Sequence, residues 1–173
     1  MIMDRIAIIG SAGSGKSTLA LQIAKQVDLP LFHLDRLFWK PGWVETPKPE
    51  FSLIVEEVAS KPRWIIDGNY SRTLDMRLKV ADMIIFLDFS KYLCLFRVIK
   101  RSFQNRNKDR PDITEGCKEK FDLEFYKWIW NFPKRNRQKI ISALSKLQDQ
   151  KKIFVFKHPK ELKKWIEDFP RLI

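Results

Sequence analysis

The sequence predicts an α/β domain in which a parallel sheet of about five strands is covered by helices on both faces. Three observations carry that expectation. Short, near-continuous apolar runs alternate with helix-periodic segments, the pattern of strands buried on both sides. A glycine- and serine-rich loop, "GSAGSGKST", joins the first run to the first helical pattern. Gly10, Asp35, Asp67 and Asp88 follow the first four runs, at the strand ends where such sheets bind ligands.

Arg5–Ile9 reads as the first strand, and Lys16–Val27 as an amphipathic helix with Leu19, Ile23 and Val27 on one face. Leu31–Leu34 is a short second strand ending at Asp35, and Glu50–Ser60 a helix. "RWIIDG" (Arg63–Gly68) is the third strand and "ADMIIFLD" (Ala81–Asp88) the fourth. Tyr92–Gln104 is helical and leads into the polar stretch Asn105–Glu115. Helical segments follow at Glu119–Trp130 and Arg135–Leu147, with a break expected at Pro133, which lacks an N–H. "KIFVF" (Lys152–Phe156) is the last strand and Glu161–Phe169 the closing helix. The 173 residues suit one domain, 1–173.

Hydrophobic residues make up 45% of the chain, enough to build a core rather than stay disordered. No apolar run nears the roughly 20 residues of a membrane helix, and no signal-peptide core precedes the first strand. A cytoplasmic chain without a membrane partner is expected. Cys94 and Cys117 show no metal-ligand spacing and read as reduced thiols. The net charge of +12 suits nucleic acid, an anionic surface or a small polyanionic substrate. Arg97, Lys100, Arg101, Arg106, Lys108 and Arg110 crowd one segment, and Lys134, Arg135, Arg137 and Lys139 a second. A solvated basic face is the plain alternative for either cluster.

Gly10, Gly15, Lys16 and Ser17 fit G-x-x-x-x-G-K-[ST], the nucleotide-phosphate loop. Glycines let successive N–H groups wrap an anion, and the helix that follows adds a partial positive charge. A strand before and a helix after raise the specificity of the match. The predicted phosphate-binding residues are Gly10, Ser11, Ala12, Gly13, Ser14, Gly15, Lys16, Ser17 and Thr18. Mg²⁺ needs hard oxygens; Ser17 supplies a hydroxyl, and Asp67 is the favoured carboxylate because Gly68 turns the chain beside the phosphates. Asp88 reads better as a strand-end or capping carboxylate. A GTPase is excluded, since "NKDR" misses the guanine-reading spacing and follows no strand. A large motor needs far more chain. A small kinase needs an acceptor site and a basic lid, and the segment after the fourth strand offers the lid.

"GSAGSGKST", "RWIIDGNYSRT", "FRVIKR" and "DRPD", in this order, resemble the adenylate-kinase-like family of nucleoside monophosphate kinases. "HLDRLFWKPGW" and "DGNYSRTLDMRL" look most like a subgroup labelled DNA topology modulation proteins. The resemblance implies a three-layer P-loop NTPase fold of the nucleotide-kinase type, with the loop's strand central. It implies an acceptor-binding region, placed at 31–62, and a basic lid, placed at 102–118. It also implies ATP with Mg²⁺ and transfer of the γ-phosphoryl to a small acceptor, most readily a nucleotide. Lys16 would then reach the β- and γ-phosphates, Ser17 would touch Mg²⁺, and Asp67 would bind the metal through water. Gly68 and Arg72 would meet the acceptor phosphate. Arg97 and Arg101 match the family's R-x-x-x-R, and Arg110 resembles a lid arginine clamping the transferring group. The planar guanidinium fork suits such a clamp.

One departure bears on the acceptor. Asp35 followed by Arg36 stands where nucleoside monophosphate kinases commonly present a threonine and a separate arginine. A carboxylate there resembles kinases of hydroxyl acceptors, though it can also cap the next segment. Phe38, Trp39 and Trp43 suit either base stacking or a patch under a loop, and Trp128, Trp130 and Trp165 read as core. His33 and His158 make no metal pair, and His158–Pro159 falls in the loop expected to pack on adenine. The main alternative to a kinase is a nucleic-acid-binding NTPase or regulator; weak nucleic-acid binding and a monomer or weak dimer are expected.

Overall fold

The computed structural model describes residues 3–105 and 112–169. Five strands form one wholly parallel sheet: β1 (Arg5–Gly10), β2 (Leu31–His33), β5 (Trp64–Asp67), β6 (Met83–Leu87) and β7 (Lys152–Phe156), in the order β2-β5-β1-β6-β7. A two-stranded antiparallel hairpin, β3 (Trp39–Lys40) and β4 (Val44–Glu45), stands apart from it. The three-layer α/β expectation is met, with the loop-bearing strand in the centre.

β1 shows why the sheet is double-sided. Ile6 and Ile8 point to one face, where α1 (Lys16–Val27), α5 (Lys91–Gln104), α6 (Leu123–Phe132) and α8 (Pro159–Asp168) cover them. Ala7 and Ile9 point to the other, under α3 (Lys48–Ser60), α4 (Leu74–Val80) and α7 (Gln138–Ser145). All four side chains are 0% exposed. Each buried isoleucine is worth about 1.5–3 kcal/mol of transfer free energy, so the central strand anchors both layers.

Several local readings change. The second strand stops at His33, and Asp35 lies in the first turn of a five-residue helix, α2 (Leu34–Phe38). The helix after "DGNYSRT", α4, carries no sequence expectation because its seven residues give barely two turns of periodicity. α6 begins at Leu123 rather than Glu119, where the Asp122 side chain accepts a bond from the Phe125 N–H. Pro133 does not break the chain: Pro133–Arg137 form a π-helical turn joining α6 directly to α7. The wider i→i+5 turn passes over the proline's missing donor. Trp130 is not core. It is 42% exposed, edge-on to Tyr92, with the Lys91 ammonium 3.6 Å from the centre of its ring. Trp128 and Trp165 pack against the core as expected.

Candidate active site

The carboxyl edge of the sheet carries two facing walls. On the first, the chain leaves β1 at Gly10 and enters α1 at Lys16. Gly13 has φ +77°, and a Cβ there would run into the Cys94 carbonyl and come within 2.8 Å of Val98 Cγ2, so α5 packs directly on the loop's backbone. The Ser14 N–H donates to the Ser11 carbonyl at 3.2 Å, and Lys16 Nζ donates to the same carbonyl at 3.0 Å. Arg97 Nη1 donates to the Ser14 carbonyl at 3.3 Å, which brings this α5 arginine onto the loop. The Ser11 and Ser14 hydroxyls are buried without a hydrogen-bond partner, and no side chain caps α1. Ala12 packs against the core and Thr18 is exposed. Unspent donors, a helix N-terminus and an inward lysine make a cradle suited to an anion.

The second wall is made of side chains. His33 and Asp67 are register partners on β2 and β5, and this places Nδ1 of the histidine 2.7 Å from Oδ1 of the carboxylate, both buried. Burial opposes charge on His33, but the Asp67 hydrogen bond, its charge and that of Asp112 outweigh it, so the imidazole titrates above its ordinary value. Gly68, at φ +138°, turns the chain over Leu34; a Cβ would sit 2.7 Å from Leu34 Cβ. Arg77 is 0% exposed and binds the turn that follows, donating to the carbonyls of Gly68 (3.1 Å), Asn69 (3.3 Å) and Tyr70 (3.4 Å). Burial lowers its guanidinium to about 10, against the attraction of Asp67 and Tyr70. The Tyr70 hydroxyl then donates to Asp35 Oδ1 at 2.7 Å. Burial, followed by the charge of Asp35, pushes that phenol well above its usual range.

The walls meet electrostatically at Lys16. Burial draws its ammonium below the ordinary lysine value, and Asp35, Asp67, Cys94 and Asp112 push it back. Carboxylates on α2, on β5 and at Asp112 therefore share in the electrostatic environment of Lys16. Ser17 and Asp67 carry a hydroxyl and a carboxylate, hard oxygen donors of the kind Mg²⁺ takes. Among the described residues, no group of three histidine, cysteine or acidic side chains is placed to hold a metal by itself.

The remaining predicted residues divide. Arg72, in a short 3₁₀ turn (Ser71–Thr73), and Arg36 are exposed. Arg101 Nε lies 3.0 Å from Oε1 of buried Glu119. Arg110 falls outside the described residues. Asp88 is a structural carboxylate: it receives three bonds of 2.8–3.0 Å from Arg137. That pair borders a cavity of about 390 Å³ between the ends of β6 and β7, lined also by Phe89, Phe132, Lys157 and His158. Part of the expected lid is joined to the expected acceptor region. Thr114 donates to the Arg36 carbonyl (3.0 Å), Cys117 to the Lys40 carbonyl (3.2 Å), Trp43 Nε1 to the Lys118 carbonyl (2.9 Å) and Gly42 N–H to the Gly116 carbonyl (3.2 Å).

His33, Tyr70 and Arg77 were not singled out from sequence as site residues. Arg77 leaves a signal in retrospect, a charge set between Leu74 and Leu78 on the buried side of a helix.

No protein-family profile matches the chain, and no curated protein does. In three dimensions it has the fold of the P-loop kinases. Solved structures similar to it include the shikimate kinase of Acinetobacter baumannii in complex with shikimate: 12% identity, 98% of this chain and 92% of that one, TM-score 0.63. A gluconokinase from Sinorhizobium meliloti 1021 shares 14% identity over 95% and 88% of the two chains, TM-score 0.53. The deoxyadenosine kinase of M. mycoides with bound dCTP shares 16% identity over 98% and 100%, TM-score 0.50. No described helix is long and apolar enough to cross a membrane.

Proposed function

We propose that the protein is an ATP-dependent phosphotransferase that moves the γ-phosphoryl group to a small acceptor. The observation that carries this reading is the phosphate loop itself, with Lys16 turned inward on the Ser11 carbonyl and Arg97 brought onto the same loop from α5. In this reading the backbone of Gly10–Thr18 holds the triphosphate, and Lys16 balances charge on its β- and γ-oxygens. Ser17 and Asp67 would hold Mg²⁺, which would supply positive charge beside the phosphates. His33 keeps the Asp67 carboxylate fixed. Arg97 meets the transferring group; Arg101, tied to Glu119, steadies the helix that presents it, and Arg110 joins from the lid. His158 and Pro159 would pack on the adenine. Asp35, Arg36, Gly68 and Arg72 border the acceptor, for which the family resemblance suggests a nucleotide. The similar solved structures, named for deoxyadenosine, shikimate and gluconate, act on small molecules and suit the same class of reaction.

Titration with Mg·ATP by calorimetry, with release or transfer of the labelled γ-phosphoryl measured in parallel, tests the reading. Binding and turnover are expected in the native chain. A chain that neither binds Mg·ATP nor turns it over would refute it.

A further inference from the structure

We propose that the outer face of α5 and α6 docks the protein on an anionic lipid surface, its aromatic side chains in the headgroup layer and its lysines on the lipid phosphates. The inference goes beyond the phosphotransferase reading and stands without it. It revises the expectation of a chain without a membrane partner, which rested on the lack of a spanning segment.

α5 is apolar on two sides. Cys94 and Val98 are buried, against the phosphate loop and the core. Tyr92, Phe96 and Phe103, at i, i+4 and i+11, line the opposite side. α6 runs antiparallel beside it: Tyr92 meets Trp130 edge-on at 5.4 Å, and Phe103 lies 6.3 Å from Phe121, just before the start of α6. With Leu123 these six side chains are between 42% and 71% exposed. The strip is about 16 Å long from Tyr92 to Phe103. It exposes on the order of 600 Å², the top of the roughly 300–600 Å² range for the largest patch on a monomer.

The charge around the strip selects the occupant. Lys100, Lys127 and Lys134 are exposed on these two helices and the turn that follows, and Lys91 lies over the Trp130 ring. The nearby carboxylates are taken: Asp122 caps α6, and Glu124 accepts from Lys127 at 2.7 Å. The face is therefore basic as well as aromatic. A second copy would bury about 800 Å² on each side, so part of the contact would set these lysines against their own counterparts. A single-stranded nucleic acid would need open ring faces for its bases. Instead Tyr92 and Trp130 stand at 88° to each other, Lys91 covers the indole, and Leu123 offers no ring. An anionic bilayer suits every group: tyrosine and tryptophan at the polar boundary, phenylalanine and leucine just below it, lysine among the phosphates.

The test sediments the whole protein with vesicles of phosphatidylcholine containing about one-third phosphatidylglycerol, and with phosphatidylcholine alone, at physiological ionic strength. Partition onto the anionic vesicles is expected to be about tenfold or more above that onto the neutral ones. Phe96→Gln with Phe103→Gln should lower it about tenfold or more, and Lys100→Gln with Lys127→Gln by a similar factor, each with a near-native thermal midpoint. Lys48→Gln with Lys146→Gln removes the same charge from the opposite layer, at α3 and after α7, and should change it less than about twofold. No sedimentation with the anionic vesicles, or an equal loss from the Lys48 and Lys146 pair, would overturn the proposal. So would a dimer in sedimentation equilibrium that the Phe96 and Phe103 changes dissociate, which gives the face to a second copy. Binding of a single-stranded oligonucleotide that the same changes weaken would overturn it in favour of nucleic acid. None of these results bears on the phosphotransferase reading.

Discussion

The two walls of the cleft are built from different material. The phosphate wall is backbone: the Ser11 and Ser14 carbonyls are gathered by Lys16 and Arg97, and Gly13 has no room for a side chain. The second wall, proposed to face the acceptor, is side chain upon side chain, Arg77 on the turn, Tyr70 on Asp35, and His33 on Asp67. A backbone wall keeps its shape when one side chain is changed and loses only the chemistry that side chain supplied. A side-chain wall loses shape first. This contrast predicts where substitutions will damage folding and where they will damage rate.

The largest effect on stability should come from Arg77→Met, which strips the Gly68, Asn69 and Tyr70 carbonyls of charge-assisted donors in a buried site. A loss of about 3 kcal/mol or more is expected in urea unfolding. A loss below about 1 kcal/mol would break the contrast. On the other wall, Lys16→Ala should lower kcat by about 10²–10³-fold, yet leave the thermal midpoint within a few degrees of native. Near-native turnover in that variant would also remove the phosphotransferase reading.

His33→Gln sharpens the comparison through pH. The native imidazole holds its proton more tightly than the unfolded one. That proton therefore stabilises the fold fully below about pH 6.5, and its contribution fades as pH rises through the higher native value. In metal-free buffer, the stability gap between native and His33→Gln chains should be wider at pH 6 than at pH 9. A gap that widens with rising pH would contradict the assignment. The smallest effect is expected away from both walls. Arg137 is 38% exposed, so Arg137→Ala should cost no more than about 1 kcal/mol despite its three bonds to Asp88.

The same contrast explains what could be read from the sequence. A loop made of backbone needs glycine at fixed positions, and Gly10, Gly13 and Gly15 announce it. The inner strands are equally plain, because burial on both faces leaves continuous apolar runs such as Met83–Leu87. The side-chain wall sends no comparable signal. The His33–Asp67 pair depends on the register of β2 against β5, which no local pattern encodes. Arg77 looks like a surface cation until the helix carrying it is seen to be buried. Pro133 and Trp130 depart from the local rules for proline and tryptophan. A π turn absorbs the proline, and a lysine rather than the core covers the indole.

The seam between the hairpin and the chain after residue 111 also has a consequence in time. Its partners stand 78, 77 and 75 positions apart along the chain: Thr114 with Arg36, Cys117 with Lys40, and Lys118 with Trp43. Closing such long loops costs entropy before any contact repays it, so native seams of this kind form late. The sheet offers them little help, since the hairpin is not one of its strands. During folding, the phosphate loop should be complete while the acceptor side is still open. In the native protein, opening should begin at Gly42 and Gly116, whose amides and carbonyls would meet solvent well before those of β1.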